Sequence, residues 1–322
     1  MITAVAGGVG AARLLRGMVR VVDPAAITAI VNTGDDAVFH GLQVSPDIDT
    51  VTYTLAGLND DERGWGLTGE TWTVMESLER LGGQTWFRLG DQDLATHLYR
   101  TARMAEGATL SQVVSEIAAA LGVAVRLLPM SDDAVATRLT LRDGGEISFQ
   151  EYFVLHRHAV PVVSVRFAGA DAARPAPGVL EAIADAELVV VCPSNPVVSV
   201  GPVLAVPGVA DGLADRRDDV VAVSPIVAGA AIKGPADRLL RELGHESSVV
   251  GVARLYADVV GTLVVDIADA PLAADVEACG VKCVVAPTVM HSPELATELA
   301  SLVLSLRPPR PGVLTPGRGP HT

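Results

Sequence analysis

Four carboxylates crowd one short stretch of this sequence: Asn32-Thr33-Gly34-Asp35-Asp36 leads through His40-Gly41 to Ser45-Pro46-Asp47-Ile48-Asp49-Thr50. Acids at that density suit a hard cation such as Mg²⁺, which takes one or two carboxylates and completes its shell with water and phosphate oxygens. Ser45 before Pro46 marks a helix start, with serine as N-cap and proline at the first helical position. Asp47 then falls in the first turn, where the helix dipole favours a carboxylate. Capping and site chemistry are both open to it, whereas Asp35, Asp36 and Asp49 have no such local duty.

A second stretch complements the acids. Gly7-Gly8-Val9-Gly10 follows an apolar run and precedes a helical pattern with Arg13 in its first turn. Glycine lets backbone approach an anion closely, and free N–H groups at a helix start attract phosphate. Arg13 stands where the dinucleotide fingerprint wants its last glycine, so a nicotinamide dehydrogenase is disfavoured. The two lysines, Lys233 and Lys282, do not follow the Walker spacing, which disfavours a P-loop enzyme. Further on, Trp86-Phe87-Arg88-Leu89-Gly90-Asp91-Gln92-Asp93 runs into a helix that carries His97 and Arg100 on one face. His97 reads equally as a structural imidazole or a catalytic one. Arg88, on an expected buried strand, requires a partner such as phosphate or a polar heterocycle. Pro193-Ser194-Asn195-Pro196, Ser224–Gly229 and Lys233–Ala236 are small-residue loops, suited to closing on a nucleotide or to being ordinary turns. His156 and His158 share a strand face but lack the third ligand that zinc needs.

These residues need a scaffold that brings distant loops together. Unbroken apolar runs at Ile2–Ala6, Ile27–Val31, Trp86–Leu89, Leu188–Cys192 and Val220–Val223 read as buried parallel strands. Helical patterns at Ala11–Val22, Trp72–Leu81, Leu94–Met104, Gln112–Leu121 and Arg238–Leu243 lie between them. Alternation of this kind predicts an α/β fold with a Rossmann-like, doubly wound, mostly parallel sheet, whose ligands sit beyond the carboxyl ends of the strands. Thr137–Arg142 and Glu146–Val154, joined across Gly144-Gly145, add an antiparallel hairpin within an inserted region of about residues 123–167. One domain over residues 1–306 and a disordered Pro- and Gly-rich tail over 307–322 complete the expectation.

Bulk properties narrow the partners. A charge of −14 over 322 residues, spread along the chain, argues against nucleic-acid binding. Three cysteines, Cys192, Cys279 and Cys283, form neither a disulfide framework nor a zinc spacing. The chain enters a strand-like run directly after Met1, and no segment approaches the roughly 20 apolar residues of a membrane span. A cytoplasmic protein without membrane contact is the expectation.

Taken in order, GGVGAARLLRG, NTGDDAVFHGLQVSPDIDTVTYTLAG, GWGLTGETW, WFRLGDQDLATHLYRT, LPMSDDAVATRL, FQEYFV, PSNPVVSVGPVLAVPG and VAVSPIVAGAAIKGPA resemble the CofD/FbiA transferases of coenzyme F420 biosynthesis. The resemblance implies transfer of a phosphoenolpyruvyl or 2-phospho-L-lactyl group from a GDP-activated acid to the ribityl hydroxyl of the deazaflavin Fo, with release of GMP. It implies Mg²⁺ as cofactor, Asp49 and Arg88 as Fo contacts, and Asp35, with Asp49, as metal ligands. Asp49 is also the candidate for accepting the hydroxyl proton. Gly7, Gly8, Gly10 and Arg13 are expected to face the guanosine diphosphate, together with Ser194 and Asn195. A homodimer is the family's expectation, and the surroundings of RGWGLTGETW and FVLHRHAVP look actinobacterial, which favours the enolpyruvyl donor. The related YvcK-like branch, linked to regulation and nucleotide-sugar binding, shares the glycine-rich start and the paired acids after the second strand but not HGLQVSPDIDT, LGDQDLATH or FQEYFV.

Overall fold

Seven strands form one parallel sheet: β1 (Ile2–Ala6), β2 (Ile27–Val31), β3 (Arg126–Pro129), β4 (Leu188–Val191), β5 (Val220–Val223), β6 (Thr262–Val265) and β7 (Lys282–Val285), in the order β7-β6-β5-β4-β1-β2-β3. This computed structural model describes residues 1–307. Every residue of β1, β2, β4, β5 and β6 is buried, as a sheet covered on both faces demands. On one face Leu14, Leu15 and Met18 meet Leu299 and Val303 of the C-terminal helix Pro293–Ser305. On the other, Ile183, Leu213 and Val252 pack against Val5, Val189 and Ala222. The chain builds outward from β1 in one direction and then, from β4, in the other. A crevice therefore opens beyond the carboxyl ends of β1 and β4, where α/β sheets bind ligands.

Five helices matter to the site: α1 (Gly8–Met18), α2 (Pro46–Ala56), α3 (Thr73–Arg80), α4 (Asp93–Ala105) and α5 (Leu110–Ala120). Helix α1 begins at Gly8 rather than Ala11, so Gly8 and Gly10 lie inside its first turn and Gly7 is the N-cap. It crosses the C-terminal helix so closely that a Cβ on Gly17 would stand 2.2 Å from the Ala296 carbonyl oxygen. Ala normally improves on Gly inside a helix by about 1 kcal/mol. Here the clash with backbone wins, and Gly17→Ala should lower unfolding free energy by about 1–3 kcal/mol, read as a lower urea midpoint.

Trp86–Leu89 is not a strand. Its apolar side chains feed a local cluster instead, with Leu89 packed among Val44, Met75 and Leu94, and Phe87 stacked on Phe39 of the hairpin Ala37–Val44. The strands that complete the sheet are β3, β6 and β7. Within the expected inserted region, β3 pairs with β2 in the central sheet. The rest forms a three-stranded antiparallel sheet with Ala136–Leu141 central between Glu146–Ser148 and a return strand Val162–Ala168. The second arm of the expected hairpin stops at Ser148, and Glu151–Leu155 turns into a short helix. Arg307, at the start of the expected tail, pairs with Glu187; residues 308–322 lie outside the described residues. Among the described residues no helix is long and apolar enough to cross a membrane.

Candidate active site

The crevice is built first by backbone contact between the β1 and β4 loops. Ser194 Oγ accepts from the Gly7 N–H at 3.1 Å and donates to the Gly7 carbonyl at 2.8 Å, so this hydroxyl serves to seat the glycine turn. A Cβ on Gly10 would lie 2.2 Å from the Pro193 carbonyl oxygen, which explains why α1 opens on glycine there. Asn195 Oδ1 accepts from the Val197 and Val198 N–H groups, and its Nδ2 has no protein partner. Gly10, Arg13, Asn195, Ser224, Lys233 and Thr288 line an open cleft of about 90 Å³. Among the described residues Arg13 donates only to the Met290 carbonyl, at 3.4 Å. Among the described residues neither Arg13 nor Lys233 forms an ion pair, so the cleft presents free cations in a chain of strongly negative charge.

Beside the glycine turn lies the acidic group. Asn32 Nδ2 donates to Asp35 Oδ1 at 3.1 Å and to Asp47 Oδ2 at 2.9 Å, bringing the two carboxylates together. Gln150, from the added antiparallel region, donates to Asp35 Oδ2 at 3.3 Å. Asp47 lies against Gly8 at the start of α1 from across the crevice, and the Gly8 N–H favours its charged form. A Cβ on Gly7 would stand 2.8 Å from its Oδ2, so glycine is what admits the acid. Ser45 occupies the N-cap position of α2, yet its hydroxyl donates to Asp36 at 2.6 Å. Burial raises all three acids, Asp35 well above the carboxylate range with help from Asp47 and Asp36, Asp36 likewise with Asp49 and Asp47 adding, and Asp47 to about 6. None of the three has an ion-pair partner among the described residues.

A raised carboxylate carries a pH signature. Because folding lifts Asp47 from 3.8 to about 6, the native state binds the extra proton between those values, and stability falls as pH rises through that window. Asp47→Asn should therefore be more stable than wild type above pH 6, by about 2–3 kcal/mol in chelator-treated protein. The two proteins should converge near pH 4. Urea midpoints across pH 4–8 check this; a variant equal to or weaker than wild type at neutral pH would contradict it.

A second polar group sits under the first turn of α2. Asp49 is gripped by both terminal nitrogens of Arg100, one of them 3.2 Å from Oδ2. Arg100 is fully buried and also donates to the Gln43 carbonyl at 3.3 Å. His97 lies 3.7 Å from Asp49 through Nδ1 and 3.3 Å from Asp93 Oδ2 through Nε2. Tyr53 donates to Asp93 at 2.7 Å. Burial alone would raise Asp93, but His97, Tyr53 and Arg100 together hold it below its ordinary value. The ligand atoms of Asp49, Asp93 and His97 all fall within 4.8 Å of one another, close enough to hold a metal.

The donor sets decide which group fits which ion. Asp49 is already neutralised by a guanidinium that a dication would have to displace, and imidazole is not a hard cation's ligand. Asp35 and Asp47 offer only oxygen, have no ion-pair partner among the described residues, and are joined through Asn32 with Asp47 against the start of α1, so this pair fits a hard cation such as Mg²⁺ better. Arg88 is exposed and off any strand, stacked 4.5 Å over the Trp72 ring, which Arg63 also approaches at 5.1 Å. No hydrogen bond or ion pair among the described residues joins Arg88 to Asp49. The sequence singles out neither Asn32 nor Gln150 as a site residue, leaves Asp47 open between capping and site chemistry, and marks Lys233 only as the first residue of a small-residue loop. Arg100 has one usable signal, its place one turn from His97.

This geometry can be set against known proteins. The family model described as 2-phospho-L-lactate transferase CofD matches residues 2–287. The chain belongs to the CofD family. It is 45% identical to the phosphoenolpyruvate transferase of Kitasatospora aureofaciens over 311 residues, covering 95% of this chain and 97% of that one. The phosphoenolpyruvate transferase of Mycolicibacterium smegmatis is 40% identical over 322 residues, with 95% and 98% covered. A solved structure from the UPF0052 family of Bacillus halodurans superposes with a TM-score of 0.58 at 19% identity, covering 94% of this chain and 98% of that one, and shares the fold. The CofD resemblance carried by the sequence motifs is thus borne out, as are the α/β class and the assignment to a transferase family of enzymes.

Proposed function

We propose that this CofD-family chain transfers a phosphoenolpyruvyl group from enolpyruvyl-diphospho-5′-guanosine to the ribityl hydroxyl of Fo, releasing GMP and forming dehydro coenzyme F420-0. The observation that carries the reading is the meeting of two opposite fields at one crevice: unpaired Arg13 and Lys233 on one side of the α1 start, unneutralised Asp35 and Asp47 on the other. A diphosphate bridging them, with Mg²⁺, satisfies both. The names of the relatives favour the enolpyruvyl donor over the lactyl one.

In this reading Gly7, Gly8 and Gly10 keep the turn tight so that the diphosphate approaches the N–H groups of α1 that remain open, and Arg13 and Asn195 Nδ2 reach it from the cleft. Asp35 and Asp47 would hold Mg²⁺, which supplies charge neutralisation on the diphosphate when bound. Asp49 leaves the ligand set, because Arg100 holds both its oxygens in one orientation. It accepts the proton as the hydroxyl oxygen bonds to the phosphorus bearing the three-carbon acid and the bond to the bridging oxygen breaks. Arg88 keeps its assignment to Fo, now as part of the stacked surface with Trp72. A cytoplasmic homodimer is the accompanying expectation, and light scattering checks the oligomer.

The test is a side-by-side assay of both activated acids with Fo and Mg²⁺, following product mass. Dehydro product with GMP release supports the reading. Nucleotide binding without conversion of either donor would replace it with a binding protein of the YvcK-like kind.

A further inference from the structure

One contact outside the chemistry described so far joins the cationic cleft to the segment that leads into the acid–histidine group. Lys233 Nζ donates to the Arg63 carbonyl at 3.2 Å. The ammonium lies so tightly on Gly64 that a Cβ there would stand 2.0 Å from it, and Gly64 is held at φ +76°. The segment it touches is braced from within. Arg63 stacks over Trp65 and Trp72 at 5.5 and 5.1 Å, donates to the Leu67 carbonyl and pairs with Asp60 at 3.0 Å. Its far end ties to the start of α4: Glu70 accepts from the Gln92 and Asp93 N–H groups at 2.8 Å each. Asp91 in turn accepts from the Thr73 N–H at 3.0 Å. Residues 60–72 thus form a braced strap between the cleft and the helix that carries Asp93, His97 and Arg100.

We propose that Lys233 is a positioning residue that clasps this strap in response to an anion in the cleft, so that occupation of the donor subsite orders the Arg63–Trp72 surface beside the acceptor. An ammonium has three donors, and the bond to Arg63 uses one of them. The others are free for phosphate oxygens, so the clasp and the anion do not compete. Burial and the nearby Arg13 charge both disfavour the protonated lysine, and an anion offsets both, strengthening its bond to Arg63. Arg16 pairs with Asp61 at 3.0 Å and anchors the other side of the strap whether or not the cleft is filled. Lys233 is therefore the member of this pair of contacts that senses the ligand.

The inference rests on the donor reading of the cleft, and the experiment separates the two. Hydrogen exchange across residues 60–72 is measured on the full chain with and without saturating guanosine 5′-diphosphate and Mg²⁺, with calorimetry confirming binding. In wild type the nucleotide should slow exchange in the strap about tenfold. Lys233→Met should still bind through Arg13 and the α1 start, about tenfold more weakly for the loss of one charge-assisted bond, but without that protection. Lys233→Arg should restore it. Binding with unchanged exchange in wild type, or equal protection in Lys233→Met, overturns the clasp alone. No binding by wild type overturns the donor reading and the clasp with it.

Discussion

Asp35→Asn is expected to lower the rate of transfer about a thousandfold at saturating substrates while leaving the fold intact or firmer. The side chain is buried and held by Asn32 and Gln150, and an amide of the same shape keeps one acceptor oxygen. What the amide lacks is the charge. In the protein by itself that charge is a liability, since burial and the neighbouring Asp47 and Asp36 push the carboxyl well above its ordinary range. A residue present for stability would show loss of both properties together. A residue present to hold a dication shows the opposite pairing, with the variant melting at or above the wild-type temperature in chelator and gaining less from added Mg²⁺. Product formation and thermal unfolding with and without Mg²⁺ therefore belong in one experiment. Wild-type turnover, or a large drop in melting temperature in chelator, would remove Asp35 from the metal site.

The legible parts of this fold are those set by short-range pattern. Ile2–Ala6 and Ile27–Val31 are unbroken apolar runs ending in turn residues, and the sheet buries every one of them. The glycine turn is readable because close backbone approach leaves only glycine; the structure adds that the approaching groups are Pro193, Ser199 and Asp47. Trp86–Leu89 misleads because its apolar composition matches a strand, while its burial comes from the Phe39 hairpin and α4. Periodicity records that a side chain is buried and not which element buries it. The same limit applies to the acids. Their number is visible in the sequence, but the division among Asn32, Gln150 and Arg100 depends on contacts up to 51 residues apart for Asp49 and 115 for Asp35. Lys233 is more distant still, 170 residues from its carbonyl partner. Its meaning comes only from the crevice that the reversal of strand order creates.

Arg100→Met should cost about 3–5 kcal/mol of unfolding free energy, the usual result of removing one partner from a buried ion pair. The methionine fills similar volume, so the loss is electrostatic: Asp49 is left buried without its cation, and Asp36 loses the one positive charge that favours its ionised form. Adding Asp49→Asn to Arg100→Met should recover much of the loss, a coupling that a double-mutant cycle in urea measures. The cycle also distinguishes two roles for Asp49. If it serves only to neutralise Arg100, turnover should track stability across the four proteins. If it takes the hydroxyl proton, both proteins carrying Asp49→Asn should bind guanosine nucleotide normally yet lose turnover about a hundredfold or more, even where the double variant has regained its fold. Wild-type GMP release from a stable Asp49→Asn protein would remove the proton-accepting role and leave the Arg100 pair as a support for the first turn of α2.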